Sequence, residues 1–192
     1  RRQPAPGRTG RGCGRPGHDP RRGDRARTRR FGGTRRLYGA AAWQRFASAS
    51  VCVVGIGGVG SWAAEALARS AVGKITLIDL DIVAESNVNR QIHALEDVFG
   101  LAKTDAMAQR IAAINPLCRV ECVEDFVTPD NVATMLDRGF DYVIDAIDQV
   151  RTKAAMIAWC RANTIPLVTA GGAGGQIDPT RIEVGDLART VQ

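Results

Sequence analysis

The chain has 192 residues, of which 45% are hydrophobic, so it is long enough for one domain with a sizeable core and an appendage. The formal charge of +6 is unevenly distributed: residues 1–30 carry eleven arginines and two acids (+9), which leaves 15 basic and 18 acidic residues (−3) for residues 31–192. The sequence contains no run of 18 apolar residues and no secretion signal, which predicts a cytoplasmic protein without a membrane segment.

Residues 1–29 differ from the rest of the chain in composition. They lack Val, Ile, Leu, Met and aromatic side chains and are dense in Arg, Gly and Pro, so they cannot bury a core and disorder is predicted. An arginine-rich arm of this kind is able to bind RNA phosphates. We favour instead a segment that is not native to the protein, because the sequence changes character abruptly at Phe31. The folded domain is therefore predicted over residues 30–192.

The remaining chain alternates strand and helix signals. After an Ala-rich helical segment at Gly39–Ala49, short β-branched apolar runs predict strands at Ser50–Val54, Ile75–Asp79, Arg119–Val123, Asp141–Asp145 and Ile165–Thr169. Helices are predicted between them at Val59–Ser70, Lys103–Ile114, Pro129–Arg138 and Val150–Ala162. This alternation predicts an α/β fold with a doubly wound, mostly parallel, Rossmann-like sheet. The pattern is also compatible with a last strand at Arg181–Val184.

The five cysteines do not indicate a disulfide framework or a thiolate metal site. Their number is odd and they form no Cys-x-x-Cys pair. Cys52 lies within an apolar strand and is expected in the core. Cys118 and Cys122 are four residues apart around a predicted strand and would be poor co-ligands.

A glycine-rich turn follows the first strand. Gly55, Gly57 and Gly60 spell G-x-G-x-x-G, and Gly58 adds a fourth glycine. The first glycine permits the turn, the middle ones let backbone N–H groups approach a phosphate, and the last lets helix and strand pack closely. Between a strand and a helix the motif predicts a nucleotide site, and the alternative is merely a tight connection. Asp79, at the end of the second strand, is suited to the ribose hydroxyls of either NAD or ATP, whereas Asp81 is as suited to capping the next turn as to binding a ligand.

Two cations favour a polyphosphate that undergoes reaction over a hydride-carrying dinucleotide. Asn87 and Arg90 are three residues apart and share a face if the segment is helical. Arg90 offers a planar fork and Lys103 a compact charge, the two kinds of cation used where a phosphoryl centre gains negative charge. The alternative for Arg90 is a surface ion pair with Glu85 or Asp97.

The carboxyl edge of the predicted sheet carries further candidates. Asp148 follows the fourth strand, where a carboxylate can hold Mg²⁺ against phosphates or cap the next helix. Asp145 would orient the site from behind. The glycines of residues 171–175 form either a loop that faces substrate or a flexible connection, and we favour the former. His93 is expected to be a packed or exposed helix residue rather than a general base.

The chain resembles members of the ubiquitin-activating-type (ThiF/MoeB/HesA) superfamily in the segments GIGGVGSWAAEALARSAVGKITLIDLD, SNVNRQIHAL, GLAKTDAMAQRI, INP and YVIDAID, of which the glycine turn with S-N-x-x-R-Q is shared across the superfamily. It is similar in particular to the branch of tRNA threonylcarbamoyladenosine dehydratases in QIHAL, DFVTPDNV and GGAGGQIDPT. The similarity runs from about Arg30 to Gln192. It implies an enzyme that uses ATP and Mg²⁺ to adenylate the carboxylate of threonylcarbamoyladenosine in tRNA, after which ring closure releases AMP.

The resemblance also implies roles for single residues. It assigns the adenosine to Gly58 and Asp79, the phosphates to Asn87, Arg90 and Lys103, and magnesium to Asp148, with Arg90, Lys103 and Asp148 as the catalytic residues. It further implies a homodimer, and some relatives act beside a cysteine desulfurase and its sulfur-acceptor protein. Superfamily members that activate ubiquitin-like tails extend an N-terminal arginine into the neighbouring subunit, for which Arg30 and Arg36 are candidates.

Other functions remain compatible with the sequence. The family has a further C-terminal portion with substrate-binding surface and a cysteine, so we expect that this chain is truncated near Gln192. The nucleotide pocket can then be present in a chain that does not catalyse the reaction. One alternative is an activator of a ubiquitin-like sulfur carrier, which the branch motifs and the missing Cys-x-x-Cys pairs disfavour. The others are an NAD-dependent oxidoreductase and a non-catalytic nucleotide-binding fragment.

Overall fold

The computed structural model describes the backbone of residues 20–172 and 174–189 and, within these ranges, the side chains from residue 27 onward. Predictions for residues 1–19 lie outside the described residues. The helices are α1 Pro20–Ser48, α2 Gly60–Arg69, α3 Lys103–Ile114, α4 Val132–Leu136 and α5 Val150–Ala162. The strands are β1 Ser50–Val54, β2 Lys74–Ile78, β3 Arg119–Val123, β4 Tyr142–Asp145 and β5 Leu167–Thr169.

The five strands form one parallel sheet in the order β3-β2-β1-β4-β5. The predicted doubly wound α/β fold is therefore confirmed. The chain order reverses between β1 and β4, where Val54 lies beside Ile78 on one side and Asp145 on the other. Crevices at such switch points, outside the carboxyl ends of the strands, are where open α/β sheets bind ligands.

Both faces of β1 are covered, which explains its continuous apolar sequence. Val51 and Val53 pack on one face with residues of α2 and α3, such as Ala64 and Met107. On the opposite face Cys52 belongs to the cluster that contains α4 and α5 residues. Cys52 is fully buried, as predicted, and burial raises the pKa of its thiol far above the ordinary value, so it is inert.

The helix α1 covers residues 20–29, for which the composition predicts disorder. Its backbone leaves helical geometry at Phe31 (φ −119°, ψ 24°) and Gly39 (φ 81°, ψ 170°). The Phe31 ring packs against Trp43 with 6.4 Å between ring centroids, and both form a buried cluster with Ala71. The apolar anchor of α1 thus lies downstream of its arginine-rich start. The division of the chain into tail and domain stays a prediction.

The prediction of a last strand at Arg181–Val184 is wrong. Residues Pro179–Arg181 form a 3-10 turn, and Ile182 and Val184 are exposed in irregular structure. Apolar alternation makes a strand only where another strand supplies hydrogen bonds, and the described part of the sheet ends at β5. A helix with the length and hydropathy needed to cross a membrane is also not found in the part of the chain that the structure describes.

Gly60 is the residue at which α2 packs on the turn after β1, and we expect any side chain there to destabilise the fold. A Cβ atom on Gly60 would lie 1.7 Å from the carbonyl oxygen of Gly55. Gly60→Ala should therefore lower the free energy of unfolding by at least about 2 kcal/mol, measured by urea denaturation. Gly57→Ala is the control, because nothing lies within 4 Å of a Cβ at that position. Equal unfolding midpoints for the two variants would contradict this packing.

Candidate active site at the carboxyl edge of the sheet

A cavity of about 660 Å³ opens at the switch point of the sheet. Its wall is built from the turn after β1, the end of β2 and the loops after β3, β4 and β5. Seven of the nine predicted site residues lie in this wall: Gly55, Gly57, Gly58, Asp79, Arg90, Lys103 and Asp148. Gly60 and Asn87 do not. The fold thus brings together residues that are up to 93 positions apart in the sequence.

The turn after β1 is closely enclosed by its neighbours. Gly55 has a φ of 84°, which favours glycine, and a Cβ there would lie 2.9 Å from the Ile147 side chain. The backbone N–H of Ile56 donates to the Asp79 carboxylate at 2.6 Å. The turn is therefore held between the end of β2 and the loop after β4, with its glycine backbone on the cavity wall.

Asp79 is buried, and each of its carboxylate oxygens accepts a hydrogen bond from a backbone N–H group. Its Oδ2 accepts the Ile56 N–H at 2.6 Å and its Oδ1 accepts the Asp81 N–H at 2.8 Å. Each carboxylate oxygen has a second acceptor position, so Asp79 keeps capacity for a ligand hydroxyl on the cavity side. The predicted ribose contact is sterically open and stays a prediction.

Lys103 opens α3 and faces the cavity in an ion pair. Its Nζ lies 2.6 Å from Asp81 Oδ2, and its side chain is only 9% exposed. The two residues are also joined through the backbone, because Lys103 N–H donates to the Asp81 carbonyl at 2.9 Å. Asp81 therefore positions the cation. An ammonium group has three donors, so Lys103 is able to contact a phosphate while it keeps Asp81.

Arg90 does not form the surface ion pair with Glu85 or Asp97 that the sequence left open. In the described structure its Nη1 donates to the Ser86 carbonyl and to Asn89 Oδ1, both at 2.9 Å. These bonds stay within its own turn and occupy one of the three guanidinium nitrogens. The rest of the planar fork remains available at the cavity wall.

The structure does not bring Asn87 into the cavity wall. Asn87 is buried, and its Oδ1 accepts the Ala84 N–H at 3.1 Å within the 3-10 turn Glu85–Asn87. The Asn87 carbonyl accepts the N–H groups of Arg90 and Gln91, so Asn87 shapes the segment that carries Arg90. A direct contact between Asn87 and phosphate stays a prediction. Gln91, which belongs to the same predicted functional segment but for which the sequence indicated no separate role, lies in the wall with its buried Oε1 unpartnered by any described residue.

Asp148 presents an unpaired carboxylate to the cavity. It is exposed, and no hydrogen bond or ion pair joins it to another described residue. It does not cap α5, whose N-cap is Gln149 without a side-chain hydrogen bond. Mg²⁺ commonly binds one or two carboxylates together with substrate phosphates. Asp148 fits such a role, and no group of three or more His, Cys, Asp or Glu residues forms a metal cage among the described residues.

A buried ionic cluster lies behind Asp148, and the sequence indicated only one of its members. Asp145 Oδ2 lies 2.7 Å from Lys153 Nζ and accepts the Thr169 hydroxyl at 2.7 Å. Asp145 Oδ1 accepts the Ile147 N–H at 3.2 Å. The expectation that Asp145 acts from behind the site agrees with this geometry. Lys153 and Thr169 were missed because their pairing depends on how α5 and β5 pack.

Two loops complete the wall. Ala170, Gly171, Gly172 and Gly174 contribute after β5, and residue 173 lies outside the described residues. That this loop faces a substrate stays a prediction. Phe126 contributes after β3, where its half-exposed ring gives the wall an apolar surface. The signal for Phe126 in the sequence was the segment DFVTPDNV, which indicated the family but no role for this residue.

His93 is packed, as expected, although it lies in a turn rather than a helix. Neither ring nitrogen has a hydrogen-bond partner among the described residues. Burial, together with the charges of Lys103 and Arg110, lowers the pKa of His93 to about 4. The imidazole is therefore neutral at pH 7 and adds no charge beside Lys103.

The model of the ThiF family matches residues 33–189, and the chain therefore belongs to the ThiF family. It is 69% identical over 163 residues to the tRNA threonylcarbamoyladenosine dehydratase of Escherichia coli strain K12, which covers 85% of this chain and 61% of that protein. The Haemophilus influenzae dehydratase is 52% identical over 163 residues, or 85% of this chain and 62% of the relative. The chain thus spans about three fifths of the length of these relatives.

The fold is similar to that of a solved relative. A crystal structure of the E. coli tRNA N6-threonylcarbamoyladenosine dehydratase in complex with ATP matches with a TM-score of 0.85 and 68% sequence identity. The match covers 86% of this chain and 68% of that chain. The predicted family resemblance is confirmed at the level of sequence and of fold.

The buried His93 should make stability depend on pH. Because its folded pKa of about 4 lies below the ordinary 6.5, the unfolded chain binds the extra proton first. The stability associated with neutral His93 is thus complete above about pH 6.5 and is lost as the pH falls towards 4. In His93→Leu the stability that the wild type loses through His93 on acidification should not be lost. The urea midpoint of this variant should therefore fall less than that of the wild type between pH 7.5 and 5. The same fall in both proteins would contradict the assignment.

Proposed function

We propose that this chain is the ATP-binding adenylation domain of a tRNA threonylcarbamoyladenosine dehydratase. It would transfer AMP from ATP to the carboxylate of threonylcarbamoyladenosine with loss of pyrophosphate, after which ring closure releases AMP. The observation that carries the proposal is the convergence of Arg90, Lys103 and the unpaired Asp148 on one glycine-lined cavity. The identity to the dehydratases of E. coli and H. influenzae supports it.

The cavity wall suggests how ATP would lie. Asp79 has free acceptor capacity for the ribose, and the backbone of Gly57 and Gly58 faces the same space. The helix α2 begins just beyond them, and an N-terminus of this kind attracts anions. Phe126 follows the neighbouring strand β3, where its ring is suited to cover the base.

The chemistry requires charge stabilisation where pyrophosphate leaves. The attacking carboxylate adds to the α-phosphorus, and negative charge develops on the phosphate oxygens as the bond to pyrophosphate breaks. Arg90 and Lys103 would bind these oxygens, and Asp148 would hold Mg²⁺, which neutralises the leaving group. The loop of Ala170, Gly171 and Gly172 carries little side-chain bulk, so it leaves room for a modified nucleoside opposite the phosphates.

A homodimer is part of the proposal, and the structure distinguishes the two arginines that are candidates for a neighbouring site. Arg30 Nη1 donates to the carbonyls of Ala113 and Ile114 at 3.0 and 2.7 Å, so it is engaged at the end of α3 in its own chain. Arg36 is exposed. We therefore assign the arginine that reaches a second subunit to Arg36. Association with a cysteine desulfurase and its sulfur acceptor, and a cytoplasmic location, stay predictions.

Pyrophosphate exchange tests the proposed function directly. The chain would be incubated with ATP, Mg²⁺ and labelled pyrophosphate, together with tRNA that bears threonylcarbamoyladenosine, unmodified tRNA or a ubiquitin-like sulfur carrier. Label should enter ATP only with the modified tRNA. Exchange with the carrier protein would replace the dehydratase by a carrier-activating enzyme, and tight NAD binding without ATP binding would establish an oxidoreductase.

Replacement of Lys103 should weaken ATP binding without a general loss of structure. Lys103→Met removes a charged donor to phosphate, which is worth about 1.5–3 kcal/mol, so the Kd for ATP with Mg²⁺ should rise at least about tenfold in calorimetry. Lys74→Met is the matched control, because Lys74 pairs with Glu121 and does not line the cavity. A similar Kd for both variants would refute the phosphate role of Lys103.

A further inference from the structure

The buried cluster around Asp145 links three elements of the sheet edge. Asp145 ends β4 and is fully buried, Lys153 lies in α5, and Thr169 ends β5. Lys153 Nζ donates to Asp145 Oδ2 at 2.7 Å and to Thr169 Oγ1 at 2.9 Å, and the Thr169 hydroxyl donates to the same carboxylate oxygen at 2.7 Å. The three polar groups thus close a ring of hydrogen bonds, with the Lys153 side chain 17% exposed.

The same carboxylate residue fixes two loops of the cavity wall. Asp145 Oδ1 accepts the N–H of Ile147, and the Asp145 carbonyl accepts the N–H of Ala170 at 2.9 Å. Ile147 and the adjacent Asp148 line the cavity on one side, and Ala170 and Gly171 on the other. A change in the position of the Asp145 side chain would therefore be transmitted to the first loop through Ile147 and to the second through Thr169, which directly precedes Ala170.

Asp148 depends on this support more than the two wall cations, Lys103 and Arg90, do. Lys103 has Asp81 and Arg90 has its own turn, whereas Asp148 has no side-chain partner among the described residues. Its position is set by the backbone of the loop that Asp145 holds. A buried ion pair is a weak source of stability, because desolvation offsets most of the attraction. The cluster is thus better explained by the geometry that it imposes than by stability alone.

We propose that Lys153 is a positioning residue for metal-dependent nucleotide binding, which acts by holding Asp145 in place behind Asp148 and the glycine loop. The proposal rests on the proposed function, since it requires that the cavity takes ATP and Mg²⁺. Lys153 itself does not line the cavity and touches no part of the nucleotide site directly.

The test compares ATP affinity with and without the metal. Calorimetric Kd values for ATP would be measured in Mg²⁺ and in EDTA, and their ratio reports how strongly the metal assists binding. Asp148→Asn should abolish this assistance. Lys153→Met leaves Asp145 as a buried uncompensated charge and is at risk of unfolding, so the double variant Asp145→Asn with Lys153→Met, which removes both charges, is the main variant. Arg151→Met, at an exposed position on the same helix, is the control.

The double variant should keep its urea midpoint and its Kd in EDTA within twofold of the wild type, while the Mg²⁺ assistance falls at least fivefold. Lys153→Arg, which keeps the charge, should retain most of the assistance, and Arg151→Met all of it. An unchanged ratio in the double variant, or a parallel loss of affinity in Mg²⁺ and in EDTA, overturns the positioning role. A wild-type chain that binds ATP equally in both conditions overturns it as well, and one that binds no ATP overturns the proposed function on which it rests.

Discussion

The site depends on one buried carboxylate that holds two backbone segments together. Asp79 accepts the N–H of Ile56 from the turn after β1 and the N–H of Asp81 from the segment after β2. Asp81 in turn pairs with Lys103, so the Asp79 side chain connects the glycine-rich turn to the segment that holds the Lys103 ammonium group. Removing Asp79 would leave the buried N–H of Ile56 without a partner, which is costly. The geometry of this part of the cavity wall is therefore fixed by bonds within the protein itself.

The strand β4, on the other side of β1 from β2, also ends with an aspartate whose side chain bonds to the following loop. Asp145 accepts the N–H of the residue two positions later, as Asp79 does. Each of these bonds fixes the backbone where a strand ends and a loop of the cavity wall begins. The two differ in how the carboxylate is satisfied. Asp79 has two backbone donors, whereas Asp145, deeper in the protein, has Lys153 and Thr169 as well. The loops after β2 and β4 are thus each fixed by the same local bond, from an aspartate to the N–H two residues later. The long-range partners differ, because Asp79 bonds to the backbone of Ile56 and Asp145 to the side chains of Lys153 and Thr169.

The difference between local bonds and long-range contacts explains what could be predicted from the sequence. The strands at Ser50–Val54 and Arg119–Val123 and the helices at Lys103–Ile114 and Val150–Ala162 agree with the structure to the residue, because apolar period and helix ends are local properties. The glycine turn is equally local. The ion pairs Lys103–Asp81 and Lys153–Asp145 at the site are not local, since each joins residues from separate elements. A short alternating run likewise does not reveal whether a neighbouring strand exists, which is why the prediction of a last strand was wrong. Asn87 was assigned by family motif to the phosphates, but its side chain bonds within its own turn.

The charges of the cavity wall support the proposal that ATP would bind together with Mg²⁺. Among the described residues, the wall carries four carboxylates, on Asp79, Asp81, Asp125 and Asp148, and two cations, on Arg90 and Lys103. A polyphosphate without a counterion would meet a wall with excess negative charge, and focused repulsion of this kind opposes binding. In the proposed function, a divalent ion on Asp148 would cancel this excess of two negative charges, and an arginine from a second subunit would make the wall net positive. The metal dependence that we propose would therefore have an electrostatic cause in the cavity as well as a chemical one in the departure of pyrophosphate, and it would require that the loop that carries Asp148 is held as firmly as the glycine turn.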